Sequence, residues 1–392
     1  MMGYLNTHGK AECFGCGACV QVCPKDAISM WTDQEGFSYP EVDDTRCIQC
    51  NCCHQVCPAE SPVTLSSPKA GFVGYNIESD VRIKSASGGA FKAIIDALDR
   101  DAIVFGAEWT TRSTVEHSWT LAENAYEKFT GSKYVQSQIG VTFSECKGFL
   151  EKGYTVLFSG TPCQIAGLRA FLEKSYDHLV CVDIVCHGVP CSKTLERYLC
   201  CKEAHAEKRI TAVHFRRKIQ FHQEWNSKCV ETQYEDGRST VDCPEENTYM
   251  KGFSYGLFLR PSCGECPFSR MERCSDITIG DAWGIEDMYP ELDIHQGVSL
   301  LLANSEEGAS IMADIKKHMV LKKAPVEALA SGNARLRAPD RGHAKRELFF
   351  LTQDDSDFDK LIYRCIPKAS FIKRLGQKVK CALSTSKGEQ QK

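Results

Sequence analysis

The sequence predicts a small α+β module followed by a larger α/β domain. Three observations carry this expectation. A four-cysteine run occurs twice within the first 60 residues, a proline- and serine-rich stretch follows it, and residues 70–330 then alternate short apolar runs with helix-period segments.

The first element is the repeat. Cys13-x2-Cys16-x2-Cys19-x3-Cys23-Pro24 recurs 34 residues later as Cys47-x2-Cys50-x2-Cys53-x3-Cys57-Pro58. In such a run three close thiolates wrap one face of a cubane 4Fe–4S cluster, and the fourth, set before proline, reaches the other cluster. The assignment is therefore crossed: Cys13, Cys16, Cys19 and Cys57 hold one cluster, while Cys47, Cys50, Cys53 and Cys23 hold the second. Zinc also accepts CxxC pairs, but two complete copies that both end in proline favour iron. Cys52 falls outside the frame and reads as a bystander. Gly15 and Gly17 suit the tight turns that aim backbone N–H groups at cluster sulfur. Between the copies, Ile28–Trp31 and Gly36–Val42 read as two strands turning at Asp33–Gly36. Residues 1–60 thus form an α+β, ferredoxin-like module with two 4Fe–4S clusters, and 61–69 read as a linker.

Composition narrows the class. Of 23 cysteines, nine lie between Cys13 and Cys57. Lys plus Arg is 47 against 51 Asp plus Glu, a near-neutral balance that argues against a nucleic-acid binder. No apolar stretch has membrane-spanning length, and Met1–Lys10 lacks an apolar core like that of a secretion signal. The expectation is a cytoplasmic protein with reduced thiols, in which dense cysteine means metal ligation.

The α/β domain follows over 70–330. Ala102–Trp109, Thr155–Ser159, Leu179–Val185 and Asp276–Ile279 have strand length; Ala90–Leu98, Ser144–Lys152 and Gln164–Lys174 have helical spacing. The alternation predicts a largely parallel sheet. His214–Asp242 reads as an insertion with strand character around Lys228–Tyr234. Cys163 and Cys186 then lie beyond the carboxyl ends of strands, where open α/β sheets bind ligands. Cys263-x2-Cys266, flanked by prolines, supplies a second pair. Four thiolates suffice for a third 4Fe–4S cluster; a structural zinc or unligated buried cysteines fit the spacing equally, and Cys274 is an alternative fourth ligand. There is no GxGxxG and no GxxxxGK[ST]. Ser85-Ala86-Ser87-Gly88-Gly89 does precede a helix, a setting suited to phosphate, and Gly131-Ser132-Lys133-Tyr134 forms a second polar loop.

The segments SASGGAF (85–91), GSKYVQS (131–137), LFSGTPCQIAGL (157–168), VDIVCHGVP (182–190) and RPSCGECPFSRMERCSDITIGDAWG (260–284) resemble the coenzyme F420 hydrogenase/dehydrogenase beta-subunit family. The resemblance implies an α/β flavin- and iron–sulfur-binding domain. It implies a third 4Fe–4S cluster on Cys163, Cys186, Cys263 and Cys266, without reliance on Cys274. It also implies FAD, held by Ser87, Gly88, Gly89, Lys133, Tyr134 and the loop Gly160, Thr161 and Pro162. Asp281 and Trp283 are candidates to face the flavin ring, against the alternative that they only end a strand. His187 is a candidate hydrogen-bond donor beside Cys186, and no catalytic acid or base is assigned.

The expected function is an iron–sulfur flavoprotein oxidoreductase. Its clusters and FAD exchange electrons with a partner such as ferredoxin, and FAD exchanges a hydride with a small organic substrate. That substrate is coenzyme F420 or another metabolite, for instance in surface-polysaccharide biosynthesis. The rival is a non-catalytic subunit that relays electrons to a partner enzyme. Residues 331–392 read as an extension. From Leu361 to Lys392 it carries eight basic residues and one acidic, with Phe371, Leu375, Val379 and Leu383 four apart. That pattern fits a terminal helix docked on its own domain, or an amphipathic helix touching the inner face of a membrane.

Overall fold

A computed structural model of the chain describes residues 9–366, except 62, 222, 223, 245, 355 and 356. The two cysteine runs fold alike. Helices Ala18–Gln21 and Cys52–Gln55 are each preceded by left-handed backbone at matching repeat positions. Gly15 (φ 67°) and Gly17 (φ 73°) in the first copy correspond to Gln49 (φ 58°) and Asn51 (φ 62°) in the second. Glutamine enters that region only at a steric cost, so both copies hold the same turn even where the residue disfavours it. Strands β1 (Ile28–Thr32) and β2 (Ser38–Val42) pair antiparallel between the copies. Their turn is tied by Asp33, whose Oδ1 accepts from the N–H groups of Gly36 and Phe37.

The rest of the chain is built on strands β3 (Ala70–Asn76), β4 (Ile103–Trp109), β5 (Val115–Leu121), β6 (Val156–Gly160), β7 (Leu179–Ile184), β8 (Ile210–Phe221), β9 (Glu224–Tyr234), β10 (Ser239–Asp242), β11 (Ile277–Asp281), β12 (Ser299–Ala303) and β13 (Met319–Ala324). Eight of them form one sheet in the order β13-β3-β12-β11-β7-β6-β4-β5. The predicted strands and helices recur within a residue or two of their expected bounds.

The expectation of a largely parallel sheet needs correction. Only β4, β6, β7 and β11 run parallel; β5, β12, β3 and β13 pair antiparallel. Parallel neighbours require a crossover of a dozen residues or more, which helices Thr142–Glu151 and Pro162–Leu172 supply. By contrast β5 follows β4 through a turn closed by Thr110 N–H to Thr114 O, and β12 follows β11 through a helix-free loop. Both strands therefore return antiparallel.

The insertion is a three-stranded antiparallel sheet, β10-β9-β8, with register shifts in β8 around Arg216, itself left-handed at φ 60°. Such a bulge re-aims side chains.

The cysteine module is not a separate body. Phe14, Cys16, Ala18 and Val56 share one apolar cluster with Ile139, Phe143, Ile165 and Phe268. The segment after it is tied down as well, by the Ser66–Arg273 bridge and by Lys69 N–H to Ala303 O. Helices Arg346–Thr352 and Phe358–Cys365 of the extension close over the other side. There Arg346 forms a two-pronged pair with Glu35, and Phe350 meets Phe37 edge-on. Among the described residues no helix is long and apolar enough to cross a membrane; the basic pattern at Phe371–Leu383 lies outside those residues.

Candidate iron–sulfur and cofactor site

The crossed pattern predicted for the first cluster is what the fold brings together. Cys13, Cys16, Cys19 and Cys57 line a single cavity, with Gly15, Gly17, Met30, Pro40 and Pro58. Burial pushes the Cys16 thiol up to about 12, and nearby Cys13 and Cys57 add to the rise. Cys19 is raised well above its ordinary value for the same reasons. Thiolates gathered in a buried space repel one another, so this donor set suits a bound cationic metal centre. The Ala18 N–H opposes the rise at Cys16, as a donor to sulfur does.

The second set is more open. Burial raises Cys53 to about 11, with Cys50 and Cys23 as its thiol neighbours. Cys23 Sγ also accepts from the Ala27 N–H at 3.3 Å. Cys50 is exposed beside Ile48, itself 56% exposed, and Cys47 is partly buried on the same loop. Cys52 shares a hydrogen bond with Cys50.

The third set comes from three separate places. Cys163 is the second residue of helix Pro162–Leu172, whose start is fixed by Pro162 and by a reciprocal cap between Thr161 and Gln164. Cys186 follows the end of β7, and Cys263 and Cys266 sit on the short 3-10 turn Pro261–Glu265 and just after it. All four thiols are shifted upward, burial being the first cause. Cys163 has Cys266, Cys186 and Cys263 as its neighbours; the Cys186 and Cys263 thiols reach about 12 and about 11. Backbone N–H groups of Gly188, Val189, Phe268 and Ser269 face these sulfurs and pull the other way. Cys274 is turned elsewhere: its thiol donates to Pro162 O at 3.5 Å.

Two buried arginines build this arrangement. Arg273 pairs with Asp183 of β7 at 2.9 Å, both side chains fully buried, and donates to the carbonyls of Phe268, Arg270 and Ile184. It thereby holds the CxxC loop against the strand that leads to Cys186. Arg260 is 2% exposed. Its guanidinium donates to Cys13 O at 2.8 Å, Ser38 O at 3.0 Å and Gln136 Oε1 at 3.0 Å, and lies over the Tyr39 ring. Its own carbonyl accepts from the Cys263 N–H at 3.0 Å. One residue therefore touches the first and the third cysteine sets. Both arginines stand in the sequence beside the CxxC pair, but nothing in the spacing shows what they hold.

The residues expected against a flavin divide into two groups. In the first, polar groups are engaged within the chain. Ser87 Oγ donates to Val298 O, and Gly88 N–H donates to Ser299 Oγ. Gly88 is pressed against β3 and β12, where an added Cβ would lie 2.5 Å from Gly74 O. Gly89 is left-handed at the start of helix Ala90–Asp96. Lys133 Nζ donates to the carbonyls of Phe129, Thr130 and Gly131, and burial lowers it to about 8. Gly160 and Pro162 flank the Thr161 cap.

The second group faces outward. Tyr134 lies beside Arg216, with its hydroxyl pushed up by burial. Arg216 clamps Asp281 through two hydrogen bonds, 2.7 and 2.9 Å, and donates to Ala86 O. Trp283 is 38% exposed, with the Lys228 ammonium 4.1 Å from its ring centre. Lys218 is buried, donates to Arg82 O and Ser87 O, and is lowered to about 7 by burial and by Arg82 and Arg216. The run Arg216-Arg217-Lys218, three bases inside a strand, is the signal by which Arg216 and Lys218 were recognisable. His187 has its Nε2 at 3.2 Å from Phe253 O and faces Asp340 at 3.3 Å.

These features can be set beside known proteins. Residues 153–328 match the family model for the C terminus of the coenzyme F420 hydrogenase/dehydrogenase beta subunit. Residues 12–61 match the 4Fe-4S dicluster domain. No curated protein matches the chain. Solved structures that match include a chain of the F420-reducing [NiFe] hydrogenase complex from Methanosarcina barkeri, at 15% identity and a TM-score of 0.44, over 78% of this chain and 90% of that one. With a dicluster domain in front of the family's C-terminal domain, the chain is an iron–sulfur electron-transfer protein and belongs to the coenzyme F420 hydrogenase/dehydrogenase beta-subunit family.

Proposed function

We propose that the chain is an iron–sulfur flavoprotein oxidoreductase that exchanges electrons between a protein partner and a small organic substrate. The observation that carries this reading is Arg260, which links the cavity of Cys13, Cys16, Cys19 and Cys57 to the turn bearing Cys263 and Cys266. In this reading the ligands are Cys13, Cys16, Cys19 and Cys57, then Cys47, Cys50, Cys53 and Cys23, then Cys163, Cys186, Cys263 and Cys266. Clusters on these thiolates carry single electrons, and FAD couples one-electron to hydride chemistry.

The protein's own groups position and tune. The exposed surface at Cys50 and Ile48 is where a partner would approach. Arg216 fixes the Asp281 carboxylate at the carboxyl end of β11, and Tyr134 and Trp283 flank it. These groups, with Lys133 and the loops 87–89 and 160–162, are the proposed wall of the flavin site. Lys218, buried and shifted toward neutrality, is held where a proton can be kept or given at its Nζ. The substrate class is a hydride donor or acceptor, with coenzyme F420 one member of it.

Anaerobic purification with iron, sulfide and flavin quantified tests this reading. About twelve irons and one FAD per chain are expected, on four thiolates per cubane. About eight irons without flavin would remove the third cluster and the FAD while leaving the dicluster module. Clusters and flavin present without hydride exchange would favour the relay role.

A further inference from the structure

Far from these cysteines, on the outer side of the chain, a second donor set is assembled from two helices. Helix Ser192–Ala206 presents Cys201 and His205 four residues apart, on one face. The helix Phe358–Cys365 sets its N-terminal end against that face, with Asp357 as its cap residue and Asp359 in its first turn. Ligand atoms of Cys201, His205 and Asp359 all lie within 4.8 Å of one another. Asp357 Oδ2 is 3.5 Å from Cys201 Sγ and 3.2 Å from His205 Nε2, and Asp359 Oδ2 is 3.8 Å from His205 Nδ1. Tetrahedral zinc with bonds of about 2.0–2.3 Å places its ligand atoms roughly 3.3–3.6 Å apart. The observed spacing is close to that, before any ion draws the groups in.

The carboxylates are also oriented. Asp357 spends Oδ1 on the Lys360 N–H at 2.9 Å and turns Oδ2 toward Cys201 and His205. Asp359 takes the Thr248 hydroxyl on Oδ1 and turns Oδ2 toward His205. The N–H groups of Phe358 and Asp359 face the Cys201 sulfur and favour its thiolate. Fixing one oxygen of each carboxylate and bonding the sulfur from outside is how outer contacts prepare metal ligands. A cluster held only by a charged His205 between two aspartates would need no sulfur at its centre.

We propose that Cys201, His205, Asp357 and Asp359 form a zinc site that staples the C-terminal helix Phe358–Cys365 to helix Ser192–Ala206. One thiolate, one imidazole and two carboxylates are a borderline donor set that suits zinc better than magnesium or calcium. Four protein ligands close the coordination shell, so the site is structural. It is independent of the electron-transfer reading, since none of its residues belongs to the three cysteine sets.

The test uses the full-length, cluster-loaded protein, stripped with a mild chelator and equilibrated anaerobically with buffered free Zn²⁺. Zinc and iron are counted in the same samples after gel filtration, and the zinc shell is read by X-ray absorption. The expected result is one zinc per chain with one sulfur and three nitrogen or oxygen neighbours, and unchanged iron. His205→Asn and Cys201→Ser should each weaken zinc binding at least tenfold, with iron content as the check on folding. His205 is more than half exposed, so its replacement leaves the core intact even if the Cys201 variant does not fold. No retained zinc at micromolar free metal, unchanged affinity in His205→Asn, or an all-sulfur shell would each overturn the proposal.

Discussion

The Arg260 guanidinium donates from Nε to the carbonyl of Cys13 at 2.8 Å, and its Nη2 lies 3.6 Å from the Cys13 sulfur. A buried cation this near a ligand sulfur stabilises the reduced, more negative state of whatever metal centre that sulfur holds. Arg260→Gln is therefore expected to lower the midpoint potential of one dicluster signal. A tenfold change in the reduction equilibrium corresponds to about 59 mV for one electron. EPR-monitored redox titration should show one signal displaced and the others fixed; uniform displacement would point to general loosening instead.

Gly15 adjoins the same guanidinium. It is left-handed at φ 67°, and a Cβ there would lie 2.8 Å from Arg260 Nη1 and 3.0 Å from Gln136 Nε2. Gly15→Ala should push the module from its seat while leaving the second copy's ligands unaltered. Limited proteolysis in the 61–69 segment should accelerate, and iron loss on dilution should begin with the first cluster.

Cys263→Ser tests the third set directly. About four irons per chain should be lost, with both dicluster signals retained, because the 3-10 turn that bears Cys263 is outside residues 12–61. Loss of no iron would remove Cys263 from the ligands.

The Arg273–Asp183 pair gives a stability prediction. Removing one partner from a fully buried ion pair costs about 3–5 kcal/mol, because the other charge is left uncompensated. Arg273→Met should lower the thermal midpoint by several degrees, and Arg273→Met with Asp183→Leu should recover much of it. A double variant no better than the single would show that the pair is held by its neighbours and not by mutual charge.

His117 gives a pH dependence. It is buried against Phe158 with Nε2 on Ser159 O, and burial lowers it to about 4 from 6.5. The unfolded chain then binds more protons than the folded one between those values, so stability is full above pH 6.5 and falls as pH drops toward 4. The loss is on the order of 3 kcal/mol. His117→Gln should flatten the stability profile in that window, measured by thermal unfolding at several pH values.

The dicluster module and its crossed ligands were legible in the residues alone, because thiolate spacing and the trailing prolines are local constraints that the chain carries wherever it folds. So was the placement of Cys163 and Cys186 at strand ends, since apolar runs mark those ends. Asp183 read as an interruption in an apolar run; only its distant partner Arg273 reveals it as the anchor of the CxxC loop. The mixed sheet direction, the joint at Arg260 and the Arg216–Asp281 clamp emerge only in the folded chain. Each joins residues far apart in sequence, and burial without water is what turns an arginine of ordinary appearance into a fixed bridge between two sites.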